Sequence, residues 1–136
     1  MVRHAHPSRR QVLTWAGAGA AGLALVACAG EEAPPPPRPG ERLLPLAEIP
    51  VGESRSVRTS EGAELVLTRV SEEEVVALSA VCTHQGCTVL PEREELACPC
   101  HGSRFAPADG AVLQGPAEEP LPTVPIRIEA GDVVVG

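Results

Sequence analysis

Short apolar runs, rich in β-branched residues, recur over the C-terminal two thirds of the chain. Polar and turn-forming residues separate them, including an acidic segment at 72–74, residues 91–94 and a Gly131-Asp132 turn. No run has the length or the period of a long helix. The pattern therefore predicts a small antiparallel all-β domain over residues 43–136, with a hairpin around 91–94. The predicted strands are 63–70, 75–81, 88–90, 95–97, 124–128 and 133–135.

The N-terminal segment has a different pattern, in which arginines precede one apolar run and acidic residues are absent. Residues 8–13 resemble the twin-arginine export motif, and the run 12–27 is short for a bilayer span. The run ends in residues 25–28, which resemble a bacterial lipobox with Cys28 as the lipidated residue. We predict an export signal over residues 1–28 that is cleaved before Cys28; a retained membrane anchor is the alternative.

Residues 29–42 are rich in proline, with four consecutive prolines at 34–37. Proline runs favour extended polyproline geometry and do not pack into a core. We therefore predict a linker between the export signal and the folded domain. It serves either as a spacer that lets the domain move between redox partners or as a passive connection.

Two short boxes, residues 82–87 and 98–103, contain four of the five cysteines and two of the four histidines of the chain. Each box brings a cysteine close to a histidine. The two pairs are Cys82 with His84 and Cys98 with His101. Two thiolates and two imidazoles suit either a tetrahedral structural zinc or a two-iron, two-sulfide cluster with histidines on one iron. We predict a metal site in this segment; two disulfides with surface histidines are the metal-free alternative.

The boxes have the forms Cys-x-His-x-Gly-Cys and Cys-Pro-Cys-His-Gly-Ser, which resemble those of Rieske proteins from quinol-oxidising cytochrome complexes and from arsenite oxidase. This resemblance implies the Rieske fold and one [2Fe-2S] cluster, held by an inserted part spanning about residues 79–117. It implies a disulfide between Cys87 and Cys100, and a loop beginning at Gly115 and Pro116 that covers the cluster. The implied ligands are Cys82 and Cys98 for the inner iron and His84 and His101 for the outer iron.

The additional cysteine of each box separates the two metal hypotheses. A zinc site needs only four ligands, and zinc pairs usually begin with a wider spacing than Cys-x-His. In the Rieske arrangement the extra cysteines join the ligand loops, which stabilises a domain that is too small for a large core. We therefore favour the iron–sulfur cluster. A zinc-stabilised interaction domain is the alternative from another functional class.

The expected cluster is neutral when oxidised, because two ferric ions, two sulfides and two thiolates sum to zero charge. It accepts an electron more readily than a four-thiolate cluster, which raises its potential. In high-potential relatives a serine donates to a bridging sulfide and a tyrosine donates to a cysteine sulfur. Ser103 keeps the first donor, whereas Phe105 lacks the second, so we expect a potential of roughly +100 to +200 mV. Gln85 replaces a usually apolar residue and argues against direct quinol oxidation.

Together these features predict a membrane-tethered electron-transfer protein, a subunit of an oxidoreductase on the outer face of the cytoplasmic membrane. Three of the eleven basic residues precede Cys28, so the cleaved chain has eight against eighteen acidic residues. This balance argues against nucleic acid and suits a basic redox partner protein. The closest alternative is the Rieske subunit of a quinol-oxidising cytochrome bc-type complex. Cytoplasmic ferredoxin or oxygenase components of aromatic-ring hydroxylation are a further alternative, but they normally lack the extra cysteine pair.

Overall fold

The computed structural model describes residues 34–136. The expected export signal, the lipidation residue Cys28 and the first part of the linker lie outside these residues. The described part of the chain contains ten strands, one short 3-10 helix and no α-helix, which confirms the predicted all-β class. The elements are β1 Arg42–Pro45, the 3-10 helix Leu46–Glu48, β2 Ser54–Arg58, β3 Glu64–Arg69, β4 Val75–Ser79, β5 Leu90–Glu92, β6 Glu95–Ala97, β7 Arg104–Phe105, β8 Val112–Gln114, β9 Ile126–Glu129 and β10 Asp132–Val135. Within this range there is no helix with the length and apolar character that a membrane crossing requires.

The strands form three antiparallel sheets. Their orders are β1-β10-β9, β2-β3-β4 and β5-β6-β7-β8. Every strand pair within them is antiparallel, and most neighbours in a sheet are also neighbours in sequence. The exception is β1, which pairs with β10 and so brings the two ends of the domain together. The sheet β5 to β8 lies in the part of the chain that contains both cysteine–histidine boxes.

Strand β3 is buried on both faces, because its residues 65–68 are all buried. Val66 contributes to a core that also contains Leu96 and Phe105 of the four-stranded sheet. Leu67 contributes to a second core with Ile49 and Val133, next to the sheet of β1, β10 and β9. Successive side chains of a strand point to opposite faces, so one strand can serve two cores. This explains why β3 is a continuous apolar run and not an alternating one.

Two predicted turns differ in position from those in the structure. In the hairpin of β5 and β6, the strand pairing continues to Glu92 opposite Glu95, so the turn is Arg93-Glu94 alone. The turn before β10 is Ala130-Gly131, one residue earlier than predicted, and both residues have positive φ. The first turn is therefore two residues shorter than predicted and the second is shifted by one residue, because cross-strand pairing determines where the turns lie.

Replacing Ala130 with asparagine is expected to stabilise the domain by about 0.5–1 kcal/mol. Ala130 has φ 51° and Gly131 has φ 84°, and a two-residue hairpin loop with positive φ at both positions favours Asn-Gly. Asparagine tolerates this conformation better than alanine does. The midpoint of urea unfolding, followed by far-ultraviolet circular dichroism, should therefore rise. Ala108→Asn, at an exposed position without positive φ, should leave it nearly unchanged, and a lower midpoint for Ala130→Asn would contradict the argument.

Candidate metal centre

Box one, residues 82–87, forms a closed loop. The Cys82 amide donates to the carbonyl of Cys87 at 2.8 Å, and the Gly86 amide donates back to the carbonyl of Cys82 at 2.8 Å. Gly86 has φ 76°, which glycine adopts without a steric penalty. The loop therefore brings its first and sixth residues, Cys82 and Cys87, together at its base, with His84 in the intervening turn.

Box two, residues 98–103, has the same pattern of backbone hydrogen bonds as box one. The Cys98 amide donates to the carbonyl of Ser103 at 2.8 Å, and the Gly102 amide donates to the carbonyl of Cys98 at 3.0 Å. Gly102 has φ 79° and corresponds to the glycine of box one. Each box therefore has a cysteine at its first position and a left-handed glycine at its fifth.

The two cysteines that begin the boxes are free thiols and are buried. Cys82 is 3% exposed and Cys98 is 2% exposed, and both belong to the core that includes Phe105. Burial raises the pKa of the Cys98 thiol, hydrogen bonds from the backbone of Cys100 and His101 partly oppose the rise, and the neighbouring Cys82 thiol adds to it. The two thiols therefore lie next to each other in an apolar environment, and a metal that binds them must displace their protons.

The histidines of the two boxes also lie close to each other. The ring centroids of His84 and His101 are 4.9 Å apart, and their planes are inclined by 86°. His101 is exposed and His84 is half-buried, so the imidazoles lie nearer to solvent than the thiols do. The structure thus brings the four sequence-predicted ligands together as one thiol pair and one imidazole pair.

One atom of this group tests whether the residues fit a metal. His84 Nδ1 is buried and has no hydrogen-bond partner among the described residues. A buried polar atom without a partner is costly, and such atoms are commonly explained by an unseen water or ion. An iron–sulfur cluster that binds this nitrogen would satisfy it, because imidazole and thiolate are both ligands of iron–sulfur centres. The donor set therefore fits a metal cluster.

The remaining cysteines of the boxes form a disulfide, as predicted. Cys87 and Cys100 are joined by an S–S bond of 2.04 Å, with Cα atoms 6.4 Å apart. The Sγ atoms of Cys87, Cys98 and Cys100 lie within 4.8 Å of one another, which resembles a three-sulfur metal site. Two of these atoms are bonded to each other and cannot act as thiolate ligands, so only Cys98 of the three remains a donor. The disulfide instead holds the two boxes side by side.

The end of β8 and the predicted cover loop after it, which begins at Gly115, contact both boxes. The Ala117 amide donates to Ser103 Oγ at 3.0 Å, and Gln114 Nε2 donates to the carbonyl of Gly102 at 3.0 Å. Since Ser103 Oγ accepts this bond, its own hydrogen remains free to donate elsewhere. Gly115 and Pro116 are exposed between these two contacts.

Thr83 and Gln114 are two contributors to the site that sequence reasoning missed. Thr83 Oγ1 donates to the carbonyl of Glu119 at 2.7 Å, and Gln114 makes the bond to box two described above. Thr83 links box one to the predicted cover loop, and Gln114 links box two to the end of β8. Thr83 lies inside a motif, yet its partner is 36 residues away, so no local pattern in the sequence reveals the contact.

Phe105 is buried and Gln85 is exposed. Phe105 is fully buried in the core that also contains Cys82 and Cys98. Gln85 is exposed in the turn of box one, next to His84. A polar amide therefore faces solvent beside one of the two imidazoles.

Fold and site together define a small antiparallel β protein in which two disulfide-linked loops bring cysteine thiols and histidine imidazoles, all possible metal ligands, close together. Comparison with known families identifies it further. Residues 42–125 match the Rieske [2Fe-2S] domain, so the chain belongs to the Rieske family, whose domain binds one [2Fe-2S] cluster. Family membership decides between the iron–sulfur and zinc hypotheses in favour of the former.

Similar proteins come from several settings. The iron–sulfur subunit of the cytochrome b6-f complex of Chlorobaculum tepidum is 32% identical over 93 residues, covering 67% of this chain and 50% of that protein. The crystal structure of the plasma membrane Rieske protein of Synechocystis PCC 6803 is 29% identical, with a TM-score of 0.53, covering 60% of this chain and 85% of that chain. The ferredoxin of Sphingomonas yanoikuyae B1 is 29% identical, with a TM-score of 0.58, covering 71% of this chain and 96% of that chain. The chain thus spans about half the length of the curated relatives it matches.

Proposed function

We propose that this chain is an extracytoplasmic electron-transfer protein, tethered to a membrane, which acts as a subunit of an oxidoreductase. Its ligands are Cys82 and Cys98 on one iron and His84 and His101 on the other. The observation that carries this assignment is the buried Nδ1 of His84, which has no hydrogen-bond partner within residues 34–136 and lies in a loop that is disulfide-linked to the loop of His101. The bound cluster supplies one-electron transfer.

The two pairs of proposed ligands differ in their exposure to solvent: the cysteines are shielded from water, and the histidines lie nearer to it. The Cys82 and Cys98 thiols lie in the apolar core with Phe105, so water is excluded from them. His101 is exposed and gives a partner protein direct access to the ligand shell. Electrons therefore enter and leave on the histidine side, since the opposite side is covered by the body of the domain.

The surface beside His84 favours a basic redox partner. Thr83, His84 and Pro116 line an open depression together with Glu118 and Glu119, and both glutamates are exposed. Complementary charge speeds the encounter of two proteins more than it strengthens their final complex. A partner with lysines or arginines around its own redox centre is therefore expected to bind faster at low than at high ionic strength.

The N-terminal segment supports the proposed location through its sequence alone. The predicted export signal, 1–28, would carry the protein across the cytoplasmic membrane, and lipidated Cys28 would anchor it there. Residues 29–42 would hold the domain, 43–136, away from the membrane surface. Membrane association of the mature protein and mass analysis of its N-terminal peptide test this arrangement, because an unmodified N-terminus in the soluble fraction would refute the lipid tether.

The main alternative is the Rieske subunit of a quinol-oxidising cytochrome complex. Similarity to the Chlorobaculum tepidum subunit favours it, whereas the exposed Gln85 beside His84 opposes it. Purification of the mature protein from detergent-solubilised membranes separates the two hypotheses. Recovery of a cytochrome b with the protein would support the quinol-oxidising complex, and recovery of another oxidoreductase would support our proposal.

Spectroscopy of the purified protein tests the central assignment. We expect visible absorbance in the oxidised protein and a spin-resonance signal after reduction by one electron. Metal analysis should give two irons for each chain, because the cluster contains two. A colourless protein with one zinc for each chain would refute the proposed function.

Replacing Phe105 with tyrosine is expected to raise the midpoint potential by about 60 mV, which corresponds to a tenfold change for a one-electron couple. The added hydroxyl would donate to a ligand sulfur, and a hydrogen bond to a charged acceptor is worth about 1.5 kcal/mol or more. Phe105 already lies in the same buried core as Cys82 and Cys98. Redox titration measures the shift, and Phe105→Leu, which adds no donor, serves as the control. An unchanged or lower midpoint in the tyrosine variant would contradict the argument.

A further inference from the structure

The free thiol of Cys98 lies next to the disulfide of the two boxes. Its Sγ atom is within 4.8 Å of both Cys87 Sγ and Cys100 Sγ, and those two atoms are bonded to each other. A thiol held this close to a disulfide has a high effective concentration toward it. Thiol–disulfide exchange requires only a thiolate and access to a disulfide sulfur. The three sulfur atoms are therefore sufficient for a thiol–disulfide exchange within the chain.

We propose that Cys98 is an internal nucleophile toward this disulfide, and that iron bound to Cys98 keeps Cys87 paired with Cys100. This inference rests on the proposed function, in which Cys98 is an iron ligand. When Cys98 is bound to iron, its sulfur electrons are shared with the metal and are not available for attack. When the cluster is removed, the same sulfur is free to react.

The exchange is balanced without an external oxidant. The Sγ atom of Cys98, as thiolate, attacks Cys87 Sγ, and the Cys87–Cys98 bond forms as the Cys87–Cys100 bond breaks. Cys100 leaves as a thiolate and takes up the proton that Cys98 released. One disulfide is present before and after the step, so the number of free thiols does not change.

Attack at Cys87 is favoured over attack at Cys100. A Cys98–Cys100 bond would close a three-residue ring that contains Pro99, and such a ring departs from normal disulfide geometry. A Cys87–Cys98 bond instead joins two separate loops that already lie side by side. Cys100 is exposed whereas Cys98 is buried, so water stabilises the departing thiolate. The expected product therefore contains Cys87–Cys98 and a free, solvent-accessible Cys100.

The pairing of the four box cysteines then depends on the order of assembly. If the cluster is inserted first, Cys98 is blocked and only Cys87 and Cys100 can pair. If the disulfide forms first, Cys98 can replace Cys100, and one iron ligand is lost. Export of an already folded, cluster-containing protein would ensure the productive order, because oxidising conditions outside the cytoplasm favour disulfide formation.

Differential alkylation of the full mature protein tests this inference. The cluster is removed with an iron chelator in anaerobic native buffer, samples are quenched with acid, and free thiols are then labelled with N-ethylmaleimide. Trypsin cleaves after Arg93 and Arg104, so Cys98 and Cys100 stay in one peptide and fragmentation between them locates the label. We expect the label to move from Cys98 to Cys100 after chelation. In protein that keeps its cluster, Cys87 should remain bonded to Cys100.

Two controls separate this outcome from general disulfide reshuffling. In the cluster-free Cys98→Ser variant the nucleophile is absent, so Cys87 should stay bonded to Cys100. Wild-type protein unfolded in urea should give several pairings, including some with Cys82, whereas the native cluster-free protein should give Cys87–Cys98 alone. A label that stays on Cys98 in native cluster-free protein would overturn the inference and leave the proposed function intact. Starting protein without iron would instead refute the proposed function.

Discussion

Replacing Cys82 with serine is expected to abolish the visible absorbance and the spin-resonance signal of the protein. Cys82 is 3% exposed, so water cannot easily enter and replace the missing sulfur. A serine hydroxyl keeps its proton at neutral pH and is a much weaker iron ligand than a thiolate. Iron content and reduced-state spectra of the purified variant measure the loss.

The matched control removes two cysteines that are not proposed ligands. The double variant Cys87→Ser, Cys100→Ser should keep the absorbance, because all four proposed ligands remain. It should lose about 3 kcal/mol of stability, since a disulfide that closes a short loop contributes about that much, and it should release iron to a chelator faster. Loss of the cluster in the double variant together with its retention in Cys82→Ser would reverse the ligand assignment.

Replacing Gly110 with alanine is expected to destabilise the domain by about 3 kcal/mol, as the sum of left-handed strain and overpacking. Gly110 has φ +75°, and an added Cβ would lie 2.7 Å from the carbonyl oxygen of Leu121 and 3.1 Å from its Cβ. Leu121 cannot move away easily, because it is buried and its amide donates to the carbonyl of Gly110 at 2.9 Å. Urea unfolding followed by circular dichroism measures the effect.

Gly52→Ala is the matched control for this prediction. Gly52 has φ +85°, but nothing lies within 4 Å of the position of an added Cβ. Its substitution should therefore cost only the backbone strain, about 1 kcal/mol. Equal losses of stability in the two variants would mean that the close approach to Leu121 carries no energetic cost.

Strands β3, β4, β6 and β10 were predicted and have buried apolar side chains, whereas the predicted β5 and β9 have none that is fully buried. Residues 64–69 and 75–79 were recognised because most of their side chains enter a core. Strands β1, β2, β7 and β8 were not predicted; β2 consists mainly of serine and arginine, and β7 and β8 have only two and three residues. Their pairing depends on neighbouring strands, and this tertiary context is invisible in a short local window.

The sequence predicted the components of the site more fully than their arrangement. Residue spacing and the family resemblance identified the two boxes, and the structure confirms the Cys87–Cys100 disulfide. The edge-to-face contact of His84 and His101 could not be predicted, because it depends on how two separate loops are oriented. The contacts of the cover loop were likewise missed, since each joins residues that are distant in sequence.

The two-sided burial of β3 has a consequence for how the domain unfolds. Val66 and Leu67 are adjacent in sequence but belong to different cores, so unfolding of this one strand exposes both cores to solvent. Neither half of the domain can therefore come apart while the other persists intact. The part of the domain that contains the two boxes therefore unfolds together with the other two sheets. Hydrogen exchange at the amides of β3 should be slow, because these amides exchange only when the whole domain opens.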